Sequence, residues 1–250
     1  MSKVITSPNQ ESKTEQFNEL EPEDGEFFEA PHDWWWRDYK YSHAIHDVNW
    51  LYTDSYFDEM SEYWHAENRV GRFVTFLMEQ LPQGTYYTAV DVGCGEGTLV
   101  RALADRGFQY TMGIDGSASA IQAAPSRQRL DPHRFVHHDV RRPFRYQSKF
   151  CLCTCMEVAE HLEPPFASQL VQNLVNLSNT IYFTAAEPGS YGDGKAHVNH
   201  PNEAPAKMWK NLFNFYGYDC VKDLTEGGGY RENGMFFKNR NPRRVHNGIV

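Results

Sequence analysis

The sequence predicts an α/β fold in which a seven-stranded, mostly parallel sheet carries helices on both faces, preceded by an aromatic-rich helical extension. Two observations lead to this prediction. Strand-length apolar segments alternate with segments of helical periodicity from about residue 69 onward, and this alternation is typical of a parallel sheet with crossover helices. The chain of 250 residues, 40% hydrophobic and 23% charged, is long enough for one such domain with an appendage.

The first two segments differ sharply in composition. Residues 1–29 contain eight acidic residues, two lysines and few apolar anchors, so we predict a disordered acidic arm. Residues 30–68 form the extension: eleven of the 31 residues from Trp34 to Trp64 are Trp, Tyr or Phe, against 14% of the whole chain. So much aromatic surface has to be buried, which predicts N-terminal helices packed on the main domain, one of them capped by Asp54 or Ser55.

A sharper hypothesis for the extension is a lid over a ligand pocket, because such pockets are commonly lined by aromatic side chains. The candidate lining residues of this lid are Trp36, Tyr39, Tyr52 and Tyr56.

The main domain is predicted over residues 69–240, followed by a basic tail over 241–250. Its first helix shows apolar residues at helical spacing from Val70 to Leu81 and ends at Pro82-Gln83-Gly84. Further helices are predicted near 97–106, 117–124, 166–177 and 203–216. Strands are predicted near 87–92, 109–114, 133–138, 149–155, 179–185, 218–223 and 234–238.

The net charge and the distribution of apolar residues limit the kinds of partner and the cellular compartment that the sequence predicts. A formal net charge of −9 argues against long duplex nucleic acid as a substrate, because phosphate binding needs a concentrated Lys/Arg surface. No apolar stretch reaches the length of a spanning helix, and Met1–Gln10 has no basic-then-apolar leader. These features predict a cytoplasmic protein with no membrane partner. Cys151, Cys153 and Cys155 alternate within one apolar run, which favours buried thiols on one strand face over a disulfide or zinc site.

A glycine-rich turn follows the first strand of the sheet. The strand Ala89–Val92 runs into Gly93, Gly95 and Gly97, and a helix follows; glycines at these positions allow a tight turn and a close approach to a ligand. A second strand ends at Asp115, whose carboxylate could accept both hydrogen bonds of a ribose diol. Dinucleotide binding is the competing interpretation, but the spacing is G-x-G-x-G, with Thr98 where that fingerprint has its third glycine.

Over roughly residues 70–238 these motifs resemble the Rossmann-like class I S-adenosylmethionine-dependent methyltransferases. The resemblance implies S-adenosylmethionine as cofactor and S-adenosylhomocysteine as product. It also implies a first motif at the end of strand one, a ribose-binding acid at Asp115, and an acid beside the adenine at Asp139. The cofactor-binding residues that it implies are Asp91, Gly93, Cys94, Gly95, Gly97, Asp115, Gly116, Asp139, Val140 and Glu157.

Strand four runs into an E-x-x-E-H segment formed by Glu157, Glu160 and His161. If this segment is helical, the three side chains share one face, since they occupy positions i, i+3 and i+4. A second polar cluster follows strand five, where a glycine-rich stretch that could close over a substrate precedes His197 and His200.

Three roles are open for these groups: general acid–base catalysis, divalent-metal binding, and a structural role. For acid–base catalysis the candidates are His161, His197 and Glu157. For a cation such as Mg²⁺ or Mn²⁺ the candidate ligands are Glu157, Glu160, His161, His197 and His200. The pattern is similar to two metal-assisted subgroups, the small-RNA 3′-terminal 2′-O-methyltransferases and the ubiquinone-pathway O-methyltransferases, and the segment from His197 also resembles uncharacterised bacterial methyltransferases.

The function predicted from the sequence is S-adenosylmethionine-dependent O-methylation of a small molecule with histidine and glutamate assistance, with N-methylation as a less favoured variant. Two alternatives are an RNA 3′-terminal 2′-O-methyltransferase and a non-catalytic cofactor-binding scaffold protein. The acidic net charge weighs against the RNA alternative.

Overall fold

The computed structural model describes residues 62, 63, 65, 68–84, 88–189, 200–225 and 234–242. Within them, seven strands form one sheet, and all seven lie where the hydrophobic pattern predicts them. The strands are β1 (Thr88–Val92), β2 (Tyr110–Asp115), β3 (Phe135–His137), β4 (Leu152–Met156), β5 (Thr180–Thr184), β6 (Tyr218–Asp223) and β7 (Met235–Asn239).

Among the described residues five α-helices accompany the strands, and two of them depart from the predicted bounds near a proline. The last helix begins at Ala206 instead of 203 because Pro205 precedes it in an extended conformation. The third continues past Pro125 to Gln128 although its predicted end was 124. The helices are α1 (Arg69–Glu79), α2 (Thr98–Asp105), α3 (Ala118–Gln128), α4 (Ala167–Leu177) and α5 (Ala206–Phe215).

The strand order is β3-β2-β1-β4-β5-β7-β6. The first five strands of this order run parallel, whereas β7 lies antiparallel between β5 and β6. Val92 is in register with Ile114 of β2 and Cys155 of β4, so the carboxyl ends of β1, β2 and β4 meet at one edge. Ligands of open α/β sheets bind at this edge. The predicted Rossmann-like sheet is therefore confirmed.

Both faces of the sheet are packed with aromatic side chains. Tyr182 of β5 contacts Phe73 and Phe76 of α1, whereas the next residue, Phe183, contacts Trp209 of α5. Successive strand residues point to opposite faces, so helices cover both. All five cysteines are free thiols; Cys153 and Cys155 are fully buried in β4, as predicted, whereas Cys151 before the strand is partly exposed.

Several predictions lie outside the described residues. They concern the acidic arm over 1–29, most of the extension over 30–68 with its candidate lid, and most of the basic tail over 241–250. Among the residues that the structure describes, no helix combines the length and apolarity that crossing a membrane requires.

Candidate functional site

The glycine loop after β1 is held against the end of β2 by backbone hydrogen bonds. Gly93 N and Cys94 N both donate to Ile114 O, at 2.7 and 3.1 Å. Gly95 N donates to Asp115 Oδ2 at 2.8 Å. Gly93 has φ +79°, a conformation that costs side-chain-bearing residues energy but not glycine. The loop is therefore held in place at the carboxyl edge of the sheet.

Asp115 occupies the position predicted for a ribose-binding acid, and its carboxylate is fixed from two sides. Its Oδ2 accepts from the glycine loop, and its Oδ1 accepts from Ser117 N at 2.7 Å. Burial raises the pKa of Asp115, while the two backbone hydrogen bonds act in the opposite direction. The residue is half-buried, and each oxygen keeps a second lone pair, so the carboxylate can accept both hydrogen bonds of a diol.

Asp91 and Cys94 are buried beneath this loop. Thr154 Oγ1 of β4 donates to Asp91 Oδ1 at 2.7 Å. Burial raises the pKa of Asp91 to about 7, the Thr154 hydrogen bond opposes this rise, and the charge of Asp115 adds to it. Burial also raises the pKa of the Cys94 thiol well above its ordinary value. The end of β1 is therefore an apolar environment in which negative charge is disfavoured.

Asp139, the predicted adenine-side acid, is paired with Arg141. The guanidinium donates to both carboxylate oxygens, with Nε at 2.9 Å from Oδ1 and Nη2 at 2.8 Å from Oδ2. Burial opposes ionisation, but these hydrogen bonds outweigh it and lower the pKa of Asp139. The neighbouring Val140 is buried, and its carbonyl accepts from Asn173 Nδ2 at 2.8 Å. Gly116 follows Asp115 and has space around it. A Cβ added there would lie 4.0 Å from the backbone oxygen of His138.

The segment after β4 does not form the continuous helix on which Glu157, Glu160 and His161 would share one face, so the condition for that arrangement is not met. Glu157 has a left-handed backbone, with φ +53°, and only Ala159–His161 form a 3₁₀ turn. Thr184 at the end of β5 fixes this bend: its hydroxyl donates to Glu157 Oε1 at 2.7 Å and accepts from Glu157 N at 3.1 Å. Glu157 is exposed, whereas Glu160 in the turn that follows is fully buried.

Glu160, His161 and His200 nevertheless come together. Each offers one possible ligand atom, and the three atoms lie within 4.8 Å of one another. The two imidazole rings meet edge to face, with centroids 4.6 Å apart. Glu160 is fully buried, and neither of its carboxylate oxygens has a hydrogen-bond partner of standard geometry among the described residues. Burial, followed by the charge of Glu157, raises the pKa of Glu160 well above its ordinary value.

Two residues that the sequence reasoning missed attach His200 to this turn. Asn202 N donates to Glu160 O at 3.1 Å, and its side-chain amide donates to Ala159 O at 3.2 Å. Glu203 Oε1 lies 3.3 Å from His200 Nδ1. The available signal was an acid three residues after a histidine, a spacing at which the two side chains meet on one helical turn.

The glycine loop packs directly on the turn after β4. A Cβ added at Gly93 would overlap Cγ2 of Val158, which lies between Glu157 and the 3₁₀ turn. The predicted cofactor residues and the cluster of Glu160, His161 and His200 are therefore neighbours at one sheet edge. His197, Trp36, Tyr39, Tyr52 and Tyr56 lie outside the described residues.

Comparisons with known proteins agree with this fold. A family profile described as a methyltransferase domain matches residues 89–179. A ubiquinone biosynthesis O-methyltransferase from Neisseria meningitidis is 27% identical over 183 residues, which are 70% of this chain and 67% of the relative.

Two solved structures are similar in fold. An S-adenosylmethionine-dependent methyltransferase from Clostridium acetobutylicum has a TM-score of 0.57 at 12% identity, covering 73% of this chain and 98% of its own. The magnesium protoporphyrin IX methyltransferase of Synechocystis, solved with bound SAH, has a TM-score of 0.56 at 17% identity, covering 77% and 98%.

The chain carries a methyltransferase domain at residues 89–179 and has the fold of the class I S-adenosylmethionine-dependent methyltransferases. It is therefore an enzyme that takes its methyl group from S-adenosylmethionine, and this assignment replaces both the dinucleotide and the non-catalytic scaffold alternatives.

Proposed function

We propose that this enzyme methylates a hydroxyl oxygen of a small molecule at a site where Glu160, His161 and His200 bind a divalent cation. The observation that carries the proposal is the cluster itself, in which a fully buried carboxylate and two imidazoles converge within 4.8 Å. Such a carboxylate is costly to bury unless it is paired or binds a metal.

On the cofactor side, we propose that the loop of Gly93, Cys94, Gly95 and Gly97 supports the methionine part of S-adenosylmethionine. Asp115 and Gly116 would bind the ribose, because the Asp115 carboxylate is held with lone pairs to spare. Asp139 and Val140 would lie beside the adenine. The oxygens of Asp139 already accept from Arg141, so we propose that the ion pair of both residues lies beside the adenine. Asp91, buried beneath the glycine loop, would support that loop.

The chemistry is an in-line displacement that the chain mainly has to position. A lone pair of the acceptor oxygen forms a bond to the methyl carbon, while the carbon–sulfur bond breaks and its electrons return to sulfur. The products are a methyl ether and S-adenosylhomocysteine. The acceptor proton passes to the carboxylate of Glu157, whose Oε1 accepts from Thr184 Oγ1 and which is exposed.

The donor set fits a divalent cation. A bound cation supplies a Lewis acid that lowers the pKa of a hydroxyl near it. It would also balance the buried charge of Glu160, whose oxygens have no other partner of standard geometry in the described part of the chain. Two of the three donors are imidazoles, which bind first-row transition metals better than Mg²⁺. We therefore expect Mn²⁺ to bind more tightly than Mg²⁺.

A small-molecule acceptor is supported by the Neisseria meningitidis relative, which is a ubiquinone biosynthesis O-methyltransferase. The net charge of −9 also disfavours a polyanionic acceptor such as RNA. We propose that the aromatic extension with Trp36, Tyr39, Tyr52 and Tyr56 encloses this acceptor, with His197 close to it.

The test combines calorimetric titration of S-adenosylmethionine with methyl-transfer assays on hydroxylated small molecules. Chelator-treated protein is compared with and without Mn²⁺ or Mg²⁺. We expect Asp115→Ala to weaken cofactor binding by roughly 10²- to 10⁴-fold, because it removes two hydrogen bonds to a charged acceptor worth about 1.5–3 kcal/mol each. Asp105→Ala is the matched control, since Asp105 forms an exposed ion pair with Arg101.

Glu160→Gln tests the cation site separately. We expect this variant to keep its cofactor affinity but to lose Mn²⁺ binding and Mn²⁺-stimulated transfer. Full activity in chelator-treated enzyme would contradict the cation and leave Glu157 to accept the proton without one. Transfer to short RNA 3′ ends, and to none of the small molecules, would contradict the proposed acceptor class.

A further inference from the structure

Glu203 is a buried acid that no step above uses. Its side chain is 6% exposed, and the facing side chain of His200 is 4% exposed. Glu203 Oε1 lies 3.3 Å from His200 Nδ1, and Oε2 accepts from Gly189 N at 3.3 Å. Both carboxylate oxygens are therefore in use, one on the imidazole and one on the backbone after β5.

This contact decides which nitrogen of His200 carries the proton. A neutral imidazole has one N–H and one lone pair, and an ionised carboxylate can only accept. The nitrogen facing Glu203 is Nδ1, so Nδ1 holds the proton and Nε2 keeps its lone pair. The hydrogen bond at one ring nitrogen therefore determines whether the other nitrogen is a donor or an acceptor.

We propose that Glu203 is a positioning residue that holds His200 as the Nδ1–H tautomer, so that Nε2 is the atom offered to the site of Glu160 and His161. The inference rests on the proposed function for the identity of what Nε2 binds, but the tautomer itself is a property of the metal-free protein. A histidine that binds a metal commonly donates its second N–H to a carboxylate, which orients the ring and raises its basicity.

The surroundings of Glu203 support a positioning role. Asn202, its neighbour in the chain, is bonded to the 3₁₀ turn through Glu160 O and Ala159 O. The Gly189 contact joins Glu203 to the segment that leaves β5. Together these contacts position the segment of His200 relative to Glu160, and Glu203 contacts a nitrogen of the ring.

The first measurement is the tautomer of His200 in metal-free wild-type protein. Long-range ¹H–¹⁵N correlation spectra of histidine-labelled protein are recorded about 1.5 pH units above the ordinary histidine pKa of about 6.5, and His200→Gln assigns the signal. We expect the Nδ1–H tautomer in the wild type and a shift towards Nε2–H in Glu203→Ala.

The second measurement is the Mn²⁺ affinity of the same variants, read by electron paramagnetic resonance. We expect Glu203→Ala to weaken it about tenfold to a hundredfold, the usual effect of losing such a partner. Glu203→Gln should fall between, because its single carbonyl cannot accept from both Gly189 N and His200 Nδ1. Affinity for S-adenosylmethionine should stay unchanged throughout. Asp219→Ala, which removes an exposed acid paired with Arg240, should change neither reading.

Two results would overturn the inference: a wild-type His200 present as the Nε2–H tautomer, or Glu203 variants that bind Mn²⁺ as the wild type does. If the wild type binds no Mn²⁺ but His200 is the Nδ1–H tautomer, the cation part of the proposed function fails and the positioning role stands. Should Glu203→Ala not fold, the wild-type spectrum and the isosteric Glu203→Gln still decide the question.

Discussion

Replacing Asp91 with asparagine should stabilise the metal-free and cofactor-free enzyme at neutral and alkaline pH. Asp91 is 5% exposed, and burial is the main reason that its pKa rises from 3.8 to about 7. A folded-state pKa above the unfolded value means that the folded protein binds more protons in between. The free energy of unfolding of the wild type therefore falls as pH rises through this window.

The size of the effect follows from the width of the window. Each pH unit between 3.8 and about 7 corresponds to about 1.36 kcal/mol, so the full loss has an upper bound of roughly 4 kcal/mol. The asparagine of the variant carries no charge at any pH, yet its carbonyl can still accept from Thr154 Oγ1, which donates to Asp91 Oδ1 at 2.7 Å in the wild type. The variant should therefore match the wild type near pH 4 and exceed it increasingly up to pH 7, above which the gap stays constant.

Urea unfolding of both proteins across this pH range measures the gap directly. The comparison uses the difference between the two proteins because other groups titrate equally in both. Asp219→Asn, which changes an exposed acid of β6 paired with Arg240, should show no comparable trend. A gap between Asp91→Asn and wild type that does not grow with pH, or that grows in favour of the wild type, would refute the claim that burial disfavours the charge of Asp91.

Two further predictions concern the contacts that hold the site together. Gly93→Ala should lower the free energy of unfolding by roughly 1–3 kcal/mol, through its positive φ and its overlap with Val158. Urea unfolding measures this loss of stability. Gly107→Ala is the control: Gly107 has φ +99° and open space around it, so its loss reports the cost of the backbone conformation alone. Equal losses in the two variants would contradict a contribution from the overlap with Val158. Thr184→Val should reduce kcat/KM about tenfold at unchanged cofactor affinity, since it removes a hydrogen bond of about 1.5 kcal/mol to the carboxylate after β4. Thr180→Val, at the other end of β5, is its control in the same kinetic assay, and a matching loss there would point to a general effect on the strand.

The strands were predictable because each is a short apolar run between turn signals. A buried segment of this kind packs its side chains on both faces of a sheet and pairs its backbone N–H and C=O groups with neighbouring strands. The bounds of the helices were harder. Pro125 lies inside α3 and Pro205 lies just before α5, so the same residue type sits within one helix and before another. The hydrophobic periodicity does not distinguish these two cases.

The cofactor half of the site could be located from the sequence because its residues follow consecutive strands. Once β1 and β2 are parallel neighbours, the topology brings the glycine loop and Asp115 together, and the bond from Gly95 N to Asp115 Oδ2 is a consequence. The partner of Asp139 was not found. Arg141 lies two residues away. The sequence does not distinguish an Asp139 that forms an ion pair with this arginine from an Asp139 whose carboxylate is available to a ligand.

The acceptor half could be found only in part, and its construction explains why. The E-x-x-E-H spacing suggests one helical face, but a left-handed residue at Glu157 divides it, and that conformation depends on Thr184 of another strand. The third member of the cluster, His200, lies on a separate segment that the contacts of Asn202 dock onto the turn of Glu160. Two segments far apart in sequence must therefore dock before the three candidate ligands meet, whereas the cofactor residues are set by the sheet alone. Opening of the segment that carries His200 would abolish the cluster and leave the cofactor edge intact, so cation binding should be lost before cofactor binding as the enzyme is destabilised.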